Sequence, residues 1–193
     1  DYNRQNAMNG NTITNLYIDE EQRIWMVNYP MGITVRNNKF SDFEWIKHSI
    51  GNKQSLINDQ INAVIEDADG DLWFATNNGI SLYKSDTKQW HSFFSEFDAV
   101  PIKNNTFISL CEISPGIIWA GGHSSGIYQI DKKKLSVNYF TPTLYNKLNI
   151  RPDKYIRAMV KASDGKIWSG GYYNLKEIDY VHKDMRNFPG LNG

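Results

Sequence analysis

Four histidines, a run of aspartates, one cysteine and a Ser-Ser pair are the residues whose chemistry could define an activity in this 193-residue chain. His48, His91, His123 and His182 share no ligand spacing, so they do not form a metal set. His48, His91 and His182 fall on or beside outer strands and read as solvated surface. His123 lies in a loop rich in Gly and Ser, Gly121-Gly122-His123-Ser124-Ser125-Gly126, where an imidazole can meet a ligand. Asp67, Asp69 and Asp71 superficially resemble a calcium loop, but no distant bidentate Glu completes one. The corresponding turns elsewhere are Glu-Gln and Ser-Pro-Gly, so Asp67 to Gly70 reads as a hairpin turn. Ser124 and Ser125 lack a neighbouring base or a nucleophile-elbow pattern, and no Gly-rich phosphate loop opens a helix. Cys111 is the sole cysteine, which excludes an internal disulfide. No catalytic set and no cofactor are expected.

Binding chemistry is better represented. Tyr29, Asn77, Asn78, His123, Ser124, Tyr172 and Tyr173 are expected together on loops between second and third strands. Asn, Ser and His side chains bridge hydroxyls, and Tyr rings stack on the CH faces of sugars. The set suits an oligosaccharide or polyol, although Asn and Ser are also ordinary turn-formers. Three long inter-blade segments, 47–60, 95–106 and 141–155, are expected to add to the same surface.

The elements that would carry these residues repeat. Ile61–Phe94 reads as four short strands punctuated by Asp69-Gly70 and Asn78-Gly79, the mark of antiparallel hairpins. Trp25, Trp73, Trp119 and Trp168 recur at intervals of 48, 46 and 49 residues. One column of the repeat holds Ile13, Ile61, Phe107 and Ile156, and another Leu16, Val64, Leu110 and Met159. Gly32, Gly79 and Gly126 precede Ile33, Ile80 and Ile127, while Asn174 precedes Leu175. A period of about 40–50 residues with four strands per copy is that of propeller blades. The expected fold is therefore all-β: four four-stranded antiparallel blades at about 13–46, 61–94, 107–140 and 156–188, in one propeller domain spanning 1–193. Continuous apolar runs such as Leu72-Trp73-Phe74-Ala75 predict second strands buried on both faces, with each Trp packing blade on blade.

Lys+Arg and Asp+Glu both number 21, so no net basic field exists to draw nucleic acid or an anionic membrane surface. No apolar run reaches the roughly 18 residues that span a bilayer. The opening at Asp1 reads as that of a mature or excised segment.

The pattern Ile-x-x-Val-x-x-Asp-x-x-Gly-x-Leu-Trp-Phe-Ala-Thr-x-x-Gly-Ile-x-x-Tyr over Ile61–Tyr83 resembles the two-component regulator propeller repeat. The resemblance extends over most of residues 13–190 and is weakest in the first and fourth copies. It implies the periplasmic sensor region of a hybrid two-component histidine kinase, an inner-membrane protein of glycan-degrading gut bacteria. It also implies a fragment of a larger, seven-bladed propeller, with membrane and kinase parts lying elsewhere in the parent chain. The expected role is non-enzymatic: recognition of a glycan fragment, pairing as a homodimer, and signalling toward polysaccharide-utilisation genes. A protein-binding propeller scaffold is the alternative, and a propeller lyase or hydrolase a third reading.

Overall fold

The structure, a computed structural model, describes residues 12–29, 32–36, 43–94, 105–140, 154–172, 174–182 and 184–189. Among these it contains sixteen strands and no helix. The strands form four sheets, each of four antiparallel strands that follow one another in chain order. The first sheet comprises β1 (Thr12–Ile18), β2 (Ile24–Tyr29), β3 (Ile33–Arg36) and β4 (Phe43–Ile46). The second comprises β5 (Ile61–Glu66), β6 (Leu72–Thr76), β7 (Gly79–Lys84) and β8 (Gln89–Phe93). In the third are β9 (Phe107–Ser114), β10 (Ile117–Gly122), β11 (Ile127–Asp131) and β12 (Ser136–Tyr139). The fourth has β13 (Ala158–Lys161), β14 (Ile167–Gly170), β15 (Asn174–Asp179) and β16 (Asp184–Pro189). The chain divides into two compact units, residues 1–100 and 101–193, with two sheets in each.

In the first unit the register decides which side chains meet. Trp25 lies opposite Tyr17 and Val35, so all three share one face of the first sheet. With Val27 and Ile33, Trp25 and Val35 pack on Leu56, Ile61, Leu72, Phe74 and Trp90 of the second sheet and the segment leading to it. The Trp25 ring sits 6.0 Å from Phe74 and 5.9 Å from Tyr83, centroid to centroid. Trp25 therefore packs blade on blade, as its spacing predicts. The Tyr17 hydroxyl donates to the Glu66 carboxylate, tying β1 to β5. Leu16 and Ile18 point to the other face and remain 60% and 57% exposed.

Six residues before each of the first two repeat tryptophans stands a buried aspartate. Asp67 Oδ2 accepts the Trp73 indole N–H at 2.8 Å, while its Oδ1 accepts the amides of Asp69 and Asp71 at 3.0 and 3.1 Å. Asp19 does the same for Trp25 at 2.8 Å, and also holds the Arg23 amide and guanidinium. Burial alone would raise the Asp19 carboxyl, but the bonds from Trp25 and Arg23 outweigh it and hold the group below its ordinary range. The Asp-Gly turn is thus a hairpin that fastens an indole.

The second unit repeats the packing with different polar contacts. Cys111, Ile113, Trp119 and Ile127 of the third sheet pack with Ile167, Ile178 and Met185 of the fourth, and with Ile156 just before it. Trp119 meets Tyr180 edge-on at 6.0 Å, and the Tyr180 hydroxyl donates to the Ile113 carbonyl at 3.2 Å. The position of Asp19 and Asp67 is taken by Ile113 here, and the Trp119 indole donates instead to Gln129 at 3.2 Å. Cys111 is buried, and that burial pushes its thiol pKa up. Trp168 is only half-buried and stacks on Phe188 at 5.6 Å within its own sheet. Beside it Val160 and Leu175 are exposed, and the register places all four on one face.

Most strand boundaries lie within one or two residues of those read from sequence. The first strand of the fourth blade begins at Ala158 rather than Ile156, because the Ile156 amide is spent on Gly122 O at the end of β10 at 3.0 Å. Leu135 falls in a turn with φ 50°, so β12 starts one residue later than its apolar character suggests. Residues 40–42, expected to open the fourth strand of the first blade, lie outside the described residues.

Candidate functional site

Antiparallel order brings the second-to-third-strand turn and the segment entering each blade to the same end of its sheet. The position four residues beyond each repeat tryptophan marks that end: Tyr29, Asn77, His123 and Tyr172. Two of these are fixed identically. Asn77 donates its amide to Gln60 O at 3.0 Å, and His123 donates its own to Thr106 O at 2.9 Å. In both cases the acceptor directly precedes the blade's first strand. The turn glycines are fixed as well, with Gly32 donating to Asp59 O at 2.8 Å and Gly126 to Lys154 O at 2.9 Å.

In the first unit this end is knitted to itself. Asn77 Nδ2 donates to Gln60 at 2.7 Å and its Oδ1 accepts from Asn62 at 2.9 Å. The exposed Asn78 donates its amide to Thr76 Oγ1 at 3.1 Å. Asn77 and Asn78 therefore act as turn residues, while Tyr29 is exposed at the end of β2. Behind Asn78, Gly79 adopts φ 102°, and a Cβ there would lie 2.6 Å from Phe93 O and 2.8 Å from Ile57 Cδ1.

The segment 47–60 also builds a cleft of about 600 Å³ against β8. Leu56, Ile57 and Trp90 supply apolar lining, with His48, Lys53, His91 and Ser92 among its polar neighbours. The Gln54 carboxamide accepts the Trp90 amide at 2.9 Å and donates to the Trp90 carbonyl at 3.3 Å, pairing with β8 as a strand would. His48 Nδ1 lies 2.7 Å from Leu56 O. His48 and His91 are exposed as expected from their strand positions, and both line the cleft that the segment 47–60 forms with β8.

The second unit gathers aromatic rings instead. Tyr155 and Tyr172 stack at 3.9 Å with an interplanar angle of 23°, and His123 meets Tyr155 edge-on at 4.6 Å. Arg157 Nη1 donates to the Tyr155 hydroxyl at 2.8 Å, and its guanidinium lies 5.8 Å from that ring's centroid. Bonding to Tyr172, then to Arg157, holds the Tyr155 phenol pKa below its ordinary value, and the Arg157 guanidinium is raised in turn. Tyr172 is 65% exposed. Of the expected site residues, the structure brings together His123 and Tyr172. Ser124 is exposed beside them in the β10–β11 loop, and Tyr173 lies outside the described residues.

Tyr155 and Arg157 were missed as partners of this cluster. They flank the buried Ile156, and the two-residue alternation of extended chain turns them outward. That alternation was the available signal. Among the described residues no group of three or more His, Cys, Asp or Glu could hold a metal ion. The cluster can offer a flat ring face, hydroxyls and a fixed cation.

Four consecutive four-stranded antiparallel sheets, with tryptophans pressed between neighbours in each unit, define a protein of β-propeller blades. Residues 55–78 match the two component regulator propeller family. No curated protein matches the chain. Among solved structures, one that is similar is the extracellular domain of a putative hybrid two component system from B. thetaiotaomicron, with a TM-score of 0.80 and 18% identity over 97% of this chain and 25% of that one. The extracellular domain of a second such system from the same organism has a TM-score of 0.72 and 22% identity, over 93% of this chain and 25% of that one. The WD40 repeats of RRP9 also superpose, with a TM-score of 0.71 and 11% identity over 98% of this chain and 54% of theirs. These likenesses establish the fold. The chain spans about a quarter of the length of the first two structures.

Proposed function

We propose that this chain is a ligand-sensing segment from the extracytoplasmic, periplasmic part of a hybrid two-component sensor histidine kinase. Its ligand is a glycan fragment, and its output runs to polysaccharide-utilisation genes. The four blades belong to one larger, seven-bladed propeller, and pairing with a second copy carries the signal across the membrane. One observation carries the ligand reading: an exposed Tyr155–Tyr172 stack, edged by His123 and Arg157, at the loop end of the second unit. Pre-stacked tyrosines offer a sugar a rigid apolar face with hydroxyls at its margin, which lowers the entropy lost on binding. The family match at residues 55–78 and the likeness to extracellular domains of two-component systems support the sensory context. A signal then requires that the ligand bind one arrangement of the receptor more tightly than the other.

Calorimetric titration of the chain with a panel of neutral and acidic oligosaccharides tests the reading. Saturable heat and a thermal shift from at least one sugar, both lost in Tyr172→Ala, are the expected result. Silence across the panel removes the glycan from this segment. The apolar cleft beside β8 favours the second reading, a non-enzymatic protein-binding scaffold. That reading predicts a retained protein partner and indifference to sugars.

A further inference from the structure

We infer that the aromatic cluster of the second unit selects an acidic sugar, a pyranose bearing a carboxylate, over its neutral counterpart. This rests on the glycan reading above and adds the ligand's charge. Arg157 is exposed, yet it is not loose: its Nη1 is anchored on the Tyr155 hydroxyl at 2.8 Å. The groups acting on this guanidinium are the hydroxyls of Tyr155 and Tyr172. No carboxylate of the described residues is paired with it.

A guanidinium carries five N–H donors in a planar fork and no acceptor, so a bond from Nη1 to one hydroxyl engages only part of the fork. Such a fork matches the two oxygens of a carboxylate. A neutral sugar hydroxyl would use one donor of the fork and none of its charge. The stacked tyrosines stand directly beside it. A pyranose lying on Tyr172, which is exposed, would place a carboxylate at its ring margin within reach of the fork. His123, edge-on to Tyr155, adds an imidazole to the cluster.

The test uses digalacturonate, galactobiose and 6-sulfated galactobiose as probes against the intact chain at low salt. Digalacturonate is expected to bind at least about tenfold more tightly than galactobiose, with the advantage shrinking as salt is raised. Arg157→Gln should abolish that preference, weakening digalacturonate far more than galactobiose, which loses at most the single bond a neutral hydroxyl takes from the fork, and Arg157→Lys should restore only part of it. Tyr172→Ala should weaken all three alike. Circular dichroism of each variant controls for folding, and Arg157 keeps its backbone bond to Gly170 O in every case. Equal affinities for digalacturonate and galactobiose overturn the charge selectivity but leave the glycan reading standing. A preference that survives Arg157→Gln, or a sulfated probe that outcompetes the uronate, overturns the carboxylate assignment. Failure of all three sugars to bind overturns the acidic-sugar assignment, while the glycan reading falls only with silence across the wider panel.

Discussion

Asp67→Ala is the substitution through which the blade architecture is most directly tested. The residue is 5% exposed, and its carboxylate takes three hydrogen bonds, from Asp69, Asp71 and the Trp73 indole. Trp73 is fully buried, so its Nε1 would lose a charged acceptor and gain no water. Bonds to charged groups contribute about 1.5–3 kcal/mol, and a stranded buried donor costs about 1–3 kcal/mol. Sharing of one network keeps these from adding in full, so the expected loss is about 3 kcal/mol. Asp67→Asn retains an acceptor and should lose about half as much. The decisive comparison is in a Trp73→Phe background, where no indole donor remains. There Asp67→Ala should cost about 1 kcal/mol less than in the parent chain. Urea denaturation followed by far-ultraviolet circular dichroism reads the parent and all four variants. A loss below about 1 kcal/mol for Asp67→Ala, or the same loss in both backgrounds, would refute the indole clamp.

The remaining predictions follow from burial, backbone and charge. Trp119→Ala, at a fully buried ring, should destabilise by about 3–5 kcal/mol, whereas Trp168→Ala, half-buried, should cost about half that by the same denaturation curves. Gly79→Ala places a methyl against Phe93 O at positive φ, so a loss of at least about 2 kcal/mol is expected, compared with a smaller loss of about 1 kcal/mol at Gly165, where nothing lies within 4 Å of the added carbon and the strain of positive φ acts alone. Asp19 titrates below its ordinary range when folded, so its contribution is fully present above the unfolded pKa and vanishes as pH falls through the lower folded value. Asp19→Asn should therefore flatten the acid limb of a stability-against-pH curve, near and below about pH 4, while leaving its neutral limb parallel to that of the parent.

The blade repeat was legible because burial on both faces forces an unbroken apolar second strand, and Trp25, Trp73, Trp119 and Trp168 mark that strand in each copy. Turn chemistry located the hairpins for the same reason: Gly79 and Gly126 sit at positive φ. The loop end of the second unit was partly legible, since His123 and Tyr172 stand at equivalent repeat positions. Tyr155 and Arg157 stayed hidden because they precede a strand and match no column of the repeat, and their meeting with His123 depends on a bond from Gly126 to Lys154 O. The aspartate clamp escaped notice because it occurs in two of four copies. In the third, Gln129 reaches the indole from the neighbouring strand, a substitution that no linear spacing announces. Asn77 and Asn78 show the converse limit: residue type suggested sugar hydroxyls, and the structure commits Asn77 to Gln60 and Asn62.

In the first sheet, Trp25 is covered by the module that comes after it, and Trp119 in the third is covered likewise. Stacking in this protein consequently has a sense of direction, like bricks with a stud on one side and a socket on the other. The Leu16–Ile18 surface is a socket, and the Trp168–Leu175–Phe188 surface a stud. Each blade thus has two unlike faces, so a blade docked in reverse would set stud against stud and leave its indole uncovered.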